Sequence, residues 1–205
     1  MHVRILWKSL NPKVPPSTPT IDMINQFRSR FSSAEEIQEA LKKVDYDRAE
    51  TSTQIRDLRM TSAIQGGQVA SDASRVSDHH LKIIFTYLFQ FGLQRWCPDI
   101  IGGSPTSLYN TAHESIALDS FQHVAANFRY SFKGIDLTHL ESVPLLSRLY
   151  RNFVYYTERR KVVKEARNGP GSVEEDVSQT EIYKRRKQVG FSISIIYPSI
   201  DLIFF

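Results

Sequence analysis

Apolar residues recur at helical spacing along most of this chain. Ile37, Ala40, Leu41 and Val44 share one face, and Ser33 with Glu36 three positions on has the spacing of a capping box. The pattern continues more weakly through Ile55, Leu58 and Ile64. Polar residues over Asp45–Thr53 favour two helices rather than one, and Gly66-Gly67 closes the second. Residues 66–77 are small and polar and read as a loop. From Asp78 to about Trp96 apolar side chains lie on nearly every side, which predicts a central helix buried against several neighbours. Pro98 and Gly102-Gly103 end it. Ser104-Pro105 predicts a new start, with Thr106–Tyr130 helical and Gly134 as the stop. Ser142-Val143-Pro144 opens the next segment, whose stripe is Leu146, Leu149, Phe153, Tyr156 and Val163. Asn168-Gly169-Pro170-Gly171 is a strong stop. Ser172 with Glu175 has the spacing of a second capping box, opening a last helix to about Gln188.

The two ends break this pattern. Residues 11–20 hold four prolines and read as an extended linker, which sets residues 1–20 apart as an arm. Residues 189–205 contain no Lys, Arg, His or Glu and have strand propensity. They read as an edge strand that could pair with Val3–Trp7, or as an apolar tail without a selected role. The expected fold is therefore mainly α: a single irregular bundle of five or six helices over residues 21–188, with disordered or weakly structured termini. Arg4 and Lys8 interrupt the first apolar stretch, so no export signal is expected. The run Leu81–Leu93 is too short to span a bilayer, and Pro198 and Asp201 break the last apolar run, so no membrane segment is expected.

Composition narrows this to one ordinary globular domain. Of 205 residues, 41% are hydrophobic and 23% charged, which excludes collagen-like and wholly disordered chains. The single Cys97 excludes an internal disulfide and favours a reducing, intracellular compartment, cytoplasmic or nuclear. The net charge of +4 is unevenly placed. Residues 1–145 carry 15 cations and 15 carboxylates, whereas residues 146–188 carry 11 and 6. The excess charge belongs to one helical hairpin, where it can attract phosphate.

Within that hairpin, Lys184, Arg185, Arg186 and Lys187 form a tetrad that suits a nuclear import signal or a phosphate-contacting patch. The plainer reading is a solvated helix C-terminus, where cations complement the dipole. Arg159, Arg160, Lys161 and Lys164 stand near Tyr150, Tyr155 and Tyr156, a mixture suited to stacking single-stranded bases. Here the plainer reading puts the tyrosines inside and the cations in water. The histidines show no metal-ligand spacing, and no phosphate loop or nucleophile motif is present, so neither metal nor cofactor is expected.

Leu146-Ser-Arg-Leu-Tyr-Arg-Asn-Phe-Val-Tyr-Tyr156, Glu165-Ala166-Arg167, Gly171-Ser172-Val173 and Ile182-Tyr183-Lys184-Arg185-Arg186-Lys187 resemble a region of uncharacterised proteins of mushroom-forming fungi. The resemblance implies a eukaryotic intracellular setting and carries no site residue. The leading functional expectation is a non-enzymatic interaction module that meets a protein or nucleic-acid partner through residues 146–188. The alternatives are a small helical enzyme with a pocket near His113, His123 and Cys97, and a truncated gene product without a selected function.

Overall fold

The structure, a computed structural model, describes residues 1–42, 50–134 and 136–196, with residue 50 and residues 185–196 described by their backbone alone. Among these residues there is helix and no strand. The elements are α1 (His2–Trp7), α2 (Ile21–Arg28), α3 (Ala34–Lys42), α4 (Glu50–Gln65), α5 (Gly67–Ser74), α6 (Asp78–Gln90), α7 (Leu108–Ala126), α8 (Val143–Arg151), a π-helical segment (Asn152–Glu158), α9 (Arg159–Asn168) and α10 (Ser172–Ile196). They are more numerous and shorter than the expected five or six.

Two helices form the centre. In α6 every side chain from His80 to Leu88 except Lys82 is buried, as the all-round apolar pattern requires. It packs against α4 and α7, and α7 in turn touches α1, α2, α3 and α8. The expected end of α6 at Trp96 moves to Gln90, because Gly92 adopts φ +63° and turns the chain. Trp96, Cys97 and Ile100 are buried in the loop that follows.

That loop explains why Ser104-Pro105 does not start α7. The buried Asn110 amide donates to the carbonyls of Asp99 and Ser104 at 3.0 and 2.8 Å, and its oxygen accepts from the Asp99 amide at 2.8 Å. These bonds hold Ser104 in the loop. The helix begins after Ser107, whose hydroxyl accepts from the Asn110 backbone amide at 3.3 Å. A Cβ on Gly103 would meet the Asp99 carboxylate at 2.9 Å, so a side chain there would have to displace it. The far end of α7 is also shorter than predicted: it stops at Ala126, and one 3-10 turn, Ser131–Lys133, leads to Gly134.

The capping box of α3 is present with a displaced partner. Glu36 donates its backbone amide to the Ser33 hydroxyl at 3.4 Å, and its carboxylate accepts from the Ser32 amide at 2.6 Å. Val44 and the rest of the polar interruption to residue 49 lie outside the described residues. Ser172 makes its bond to Glu165 of α9 instead of Glu175: that carboxylate also accepts from the amides of Gly171 and Val173, clamping α10 to α9.

Four expectations are corrected. Residues 66–77 hold α5, since Ala70 and Ala73 are small enough to pack closely and are buried. The arm is part of the core: Ile5, Leu6, Trp7 and Leu10 are buried, and the Trp7 ring meets Trp96 edge-on at 4.7 Å between centroids. The proline stretch is tied down as well, its Ser17 carbonyl accepting from the Cys97 thiol at 3.1 Å. Residues 189–196 continue α10, so neither they nor Val3–Trp7 offer a strand for pairing; residues 197–205 lie outside the described residues. Finally, the inward stripe of the 143–168 segment is Tyr150, Val154 and Glu158, whereas the expected Leu149 and Tyr156 are 55% and 59% exposed. The wider π turn, bonded i to i+5, brings positions four apart closer to one face than an α-helix does.

Candidate anion-binding face

The π-helical segment decides which side chains of the basic hairpin face out. It turns Glu158 inward, where that carboxylate is fully buried and meets Arg4 at 2.6 Å and Lys161 at 2.9 Å. Arg4, itself 2% exposed, spends its other guanidinium nitrogen on the carbonyls of Ser9, Asn11 and Val14 and the Ser9 hydroxyl. Lys161 also donates to the Pro12 carbonyl at 2.9 Å. One carboxylate thus balances two cations and anchors the N-terminal residues to the hairpin. A buried ion survives only where charge and hydrogen bonds are both supplied.

With Glu158 inward, the opposite side carries Tyr156, Arg159, Arg160 and Arg167, all exposed. A trough of about 680 Å³ runs along it, lined by Tyr155, Val163, Lys164 and Asn168 besides those four. Tyr156, Arg160, Lys164 and Arg167 follow i, i+4, i+8, i+11 spacing, so they stack along one helix face. The Arg160 guanidinium lies 5.5 Å from the centre of the Tyr156 ring, and its nitrogen reaches the phenol oxygen at 3.5 Å. Lys164 pairs with Asp176 of α10 at 2.7 Å. Among the described residues neither Arg159, Arg160 nor Arg167 has a carboxylate partner. Burial pushes the Tyr155 hydroxyl above the usual phenol range, and that oxygen is turned away from solvent on the Tyr150 side.

Of the expected site residues, Arg159, Arg160 and Lys164 come together here. Lys161 does not: it is spent on Glu158 and Pro12. Lys184 is exposed on α10, and the side chains of Arg185, Arg186 and Lys187 lie outside the described residues. Arg167, a cation off the apolar stripe that was no site candidate, joins Arg159, Arg160 and Lys164 in the trough; its spacing of seven from Arg160 was the available signal. The tyrosines divide: Tyr150 is buried against Trp96, whereas Tyr156 is out in solvent.

The histidine and cysteine candidates do not converge. His113 is fully buried and donates through Nδ1 to the Tyr109 carbonyl at 2.8 Å; burial holds its pKa down at about 4. His123 is ten residues further along α7, about 15 Å on a straight helix, with its ring 6.4 Å from that of Tyr87. Burial pushes the Cys97 thiol up, away from thiolate character. His2 sits between two hydroxyls. Ser120 donates to the Ile116 carbonyl at 2.6 Å, so its oxygen accepts from His2 Nε2 at 2.9 Å, while Nδ1 accepts from Tyr130 at 2.7 Å. Burial lowers the His2 pKa to about 3. Among the described residues no group of three His, Cys, Asp or Glu side chains could hold a metal ion, and no helix is long and apolar enough to cross a membrane.

Against known protein families, curated protein sequences and solved structures, the chain has no significant match.

Proposed function

We propose that this chain is a non-enzymatic binding protein whose α9 face takes a polyanionic strand, single-stranded nucleic acid being the partner it suits best. The observation that carries the reading is the trough in which Arg159, Arg160 and Arg167 stand, without carboxylate partners among the described residues, beside the exposed ring of Tyr156. Guanidinium groups neutralise phosphates, and every base offers a π-face to a tyrosine. The segment is about 14 residues long, or roughly 20 Å of helix, which spans a few nucleotides.

The test is fluorescence anisotropy of a labelled single-stranded RNA oligonucleotide titrated with the full chain at several salt concentrations. Affinity should fall as salt rises. Replacing Arg159, Arg160 and Arg167 together by Gln should flatten the logarithmic salt slope by about 2, from roughly 0.7 per neutralised phosphate in a single strand. Binding indifferent to salt or to the triple substitution overturns the reading. Equal binding of an acidic peptide would reassign the face to a protein partner.

A further inference from the structure

A second cavity, built from other residues, has a charge balance that the fold does not require. It measures about 280 Å³ and lies where the end of α1, the helix α2, the helix α4 and the loop after α6 meet. Among the described residues its walls carry three cations, Lys8, Arg30 and Arg95, and no carboxylate. Phe27 and Phe91 also border it, but at 2% and 1% exposure they offer it almost no surface. The side chain of Gln54 donates to the Gln94 carbonyl at 3.2 Å and so fixes the loop that presents Arg95.

The cations are little compensated. Lys8 has Asp57 at 3.6 Å, a half-exposed pair of small value in water. Among the described residues Arg30 and Arg95 form no ion pair; Arg95 reaches only the Met23 sulfur at 3.5 Å, and Arg30 only the face of Phe31, 5.8 Å from the ring centre. Two backbone features bring the charges in. Lys8 ends α1 at φ +53°, a left-handed conformation that costs a non-glycine residue energy. Gly92 sits at φ +63°, and a Cβ there would fall 1.0 Å from an Arg30 guanidinium nitrogen. Arg30 therefore rests on bare backbone. Three like charges lining one cavity attract an anion to it.

We propose that this cavity binds a small phosphate monoester, with the phosphate held by Arg30, Arg95 and Lys8. Guanidinium groups match phosphate oxygens two at a time, and a cavity of this volume suits a ligand smaller than a typical drug. The site shares no residue with the α9 trough, so the two readings fail separately.

The experiment is calorimetric titration of the full chain with phenyl phosphate, with inorganic phosphate and phenol as comparisons. Phenyl phosphate should bind saturably and more tightly than either fragment. Arg30→Gln and Arg95→Gln remove exposed side chains and should leave the thermal midpoint of the free protein unchanged. Each should weaken phenyl phosphate at least tenfold, while Arg160→Gln should not. No saturable binding, or binding unaffected by both substitutions, overturns the proposal. Equal affinity for inorganic phosphate overturns the monoester as the ligand.

Discussion

Arg4 and Glu158, 154 positions apart in the sequence, form a 2.6 Å ion pair in which both side chains are almost wholly buried. The pair joins the first helix to the end of the π-helical segment, and Lys161 closes the second carboxylate oxygen. Breaking a buried pair from one side leaves an uncompensated charge, at about 3–5 kcal/mol. Glu158→Leu should lower unfolding free energy by that order in urea titrations. Arg4→Met combined with Glu158→Leu should recover part of the loss: no guanidinium is then left without its carboxylate, although Lys161 and the carbonyls of Ser9, Asn11 and Val14 lose their partners. A double variant no better than the single would refute the coupling.

Trp7 tests whether the N-terminal residues belong to the core. It packs edge-on against Trp96, and Ile5 and Leu6 beside it are buried. Trp7→Ala should cost about 3–5 kcal/mol, the range for large aromatic truncations. A flexible arm would tolerate the change within about 0.5 kcal/mol. Chemical denaturation followed by circular dichroism separates the two outcomes.

Asn110 organises the loop from Asp99 to Ser104 through three side-chain bonds. Asn110→Ala strands an amide and two carbonyls, and an unmet buried polar group costs about 1–3 kcal/mol. Trp96, whose indole donates to the His113 carbonyl at 2.9 Å, sits in the same loop. Its fluorescence should shift to the red in the variant if the loop opens, and stay fixed if it does not.

The buried histidines set a pH dependence. In the folded chain His2 and His113 have pKa values of about 3 and about 4, lowered chiefly by burial, against 6.5 for a free imidazole. The unfolded state therefore binds more protons between those values. The stability these groups contribute is fully present above pH 6.5 and is lost as pH falls toward 4 and then 3. Across that window each imidazole removes up to about 1.4 kcal/mol per pH step. The urea midpoint should fall between pH 7 and pH 5, before most carboxylates titrate, and His113→Leu should flatten that fall. An unchanged profile in the variant would exclude His113 as a source.

Tyr156 is 59% exposed, so Tyr156→Ala should leave stability within about 0.5 kcal/mol. In the anisotropy titration it should weaken a single-stranded oligonucleotide by about 1–3 kcal/mol, the worth of one stacked base. Loss of stability with no loss of binding would return Tyr156 to a structural role.

The helical character, the buried helix beginning at Asp78, the stop at Asn168–Gly171 and the placement of the excess charge were all legible in the sequence. Each depends on near neighbours: spacing, caps, glycine and proline. The place of the first twenty residues was not, because Arg4 reads as a polar interruption until Glu158 is brought to it from the other end of the chain. The α9 face was half legible. Arg159, Arg160 and Lys164 stood out as cations among tyrosines, but which of them faces solvent depended on the π turn, and Lys161 looked free until its two partners were in place.

The second cavity was not legible at all. Lys8, Arg30 and Arg95 stand in three separate stretches, and no spacing rule connects them. By itself the sequence determined where helices form and where charge accumulates, since both are short-range properties of the chain. Only the tertiary structure decided which charges are neutralised and which are left facing a cavity, because a buried ion is tolerated or not according to groups that folding brings from far away.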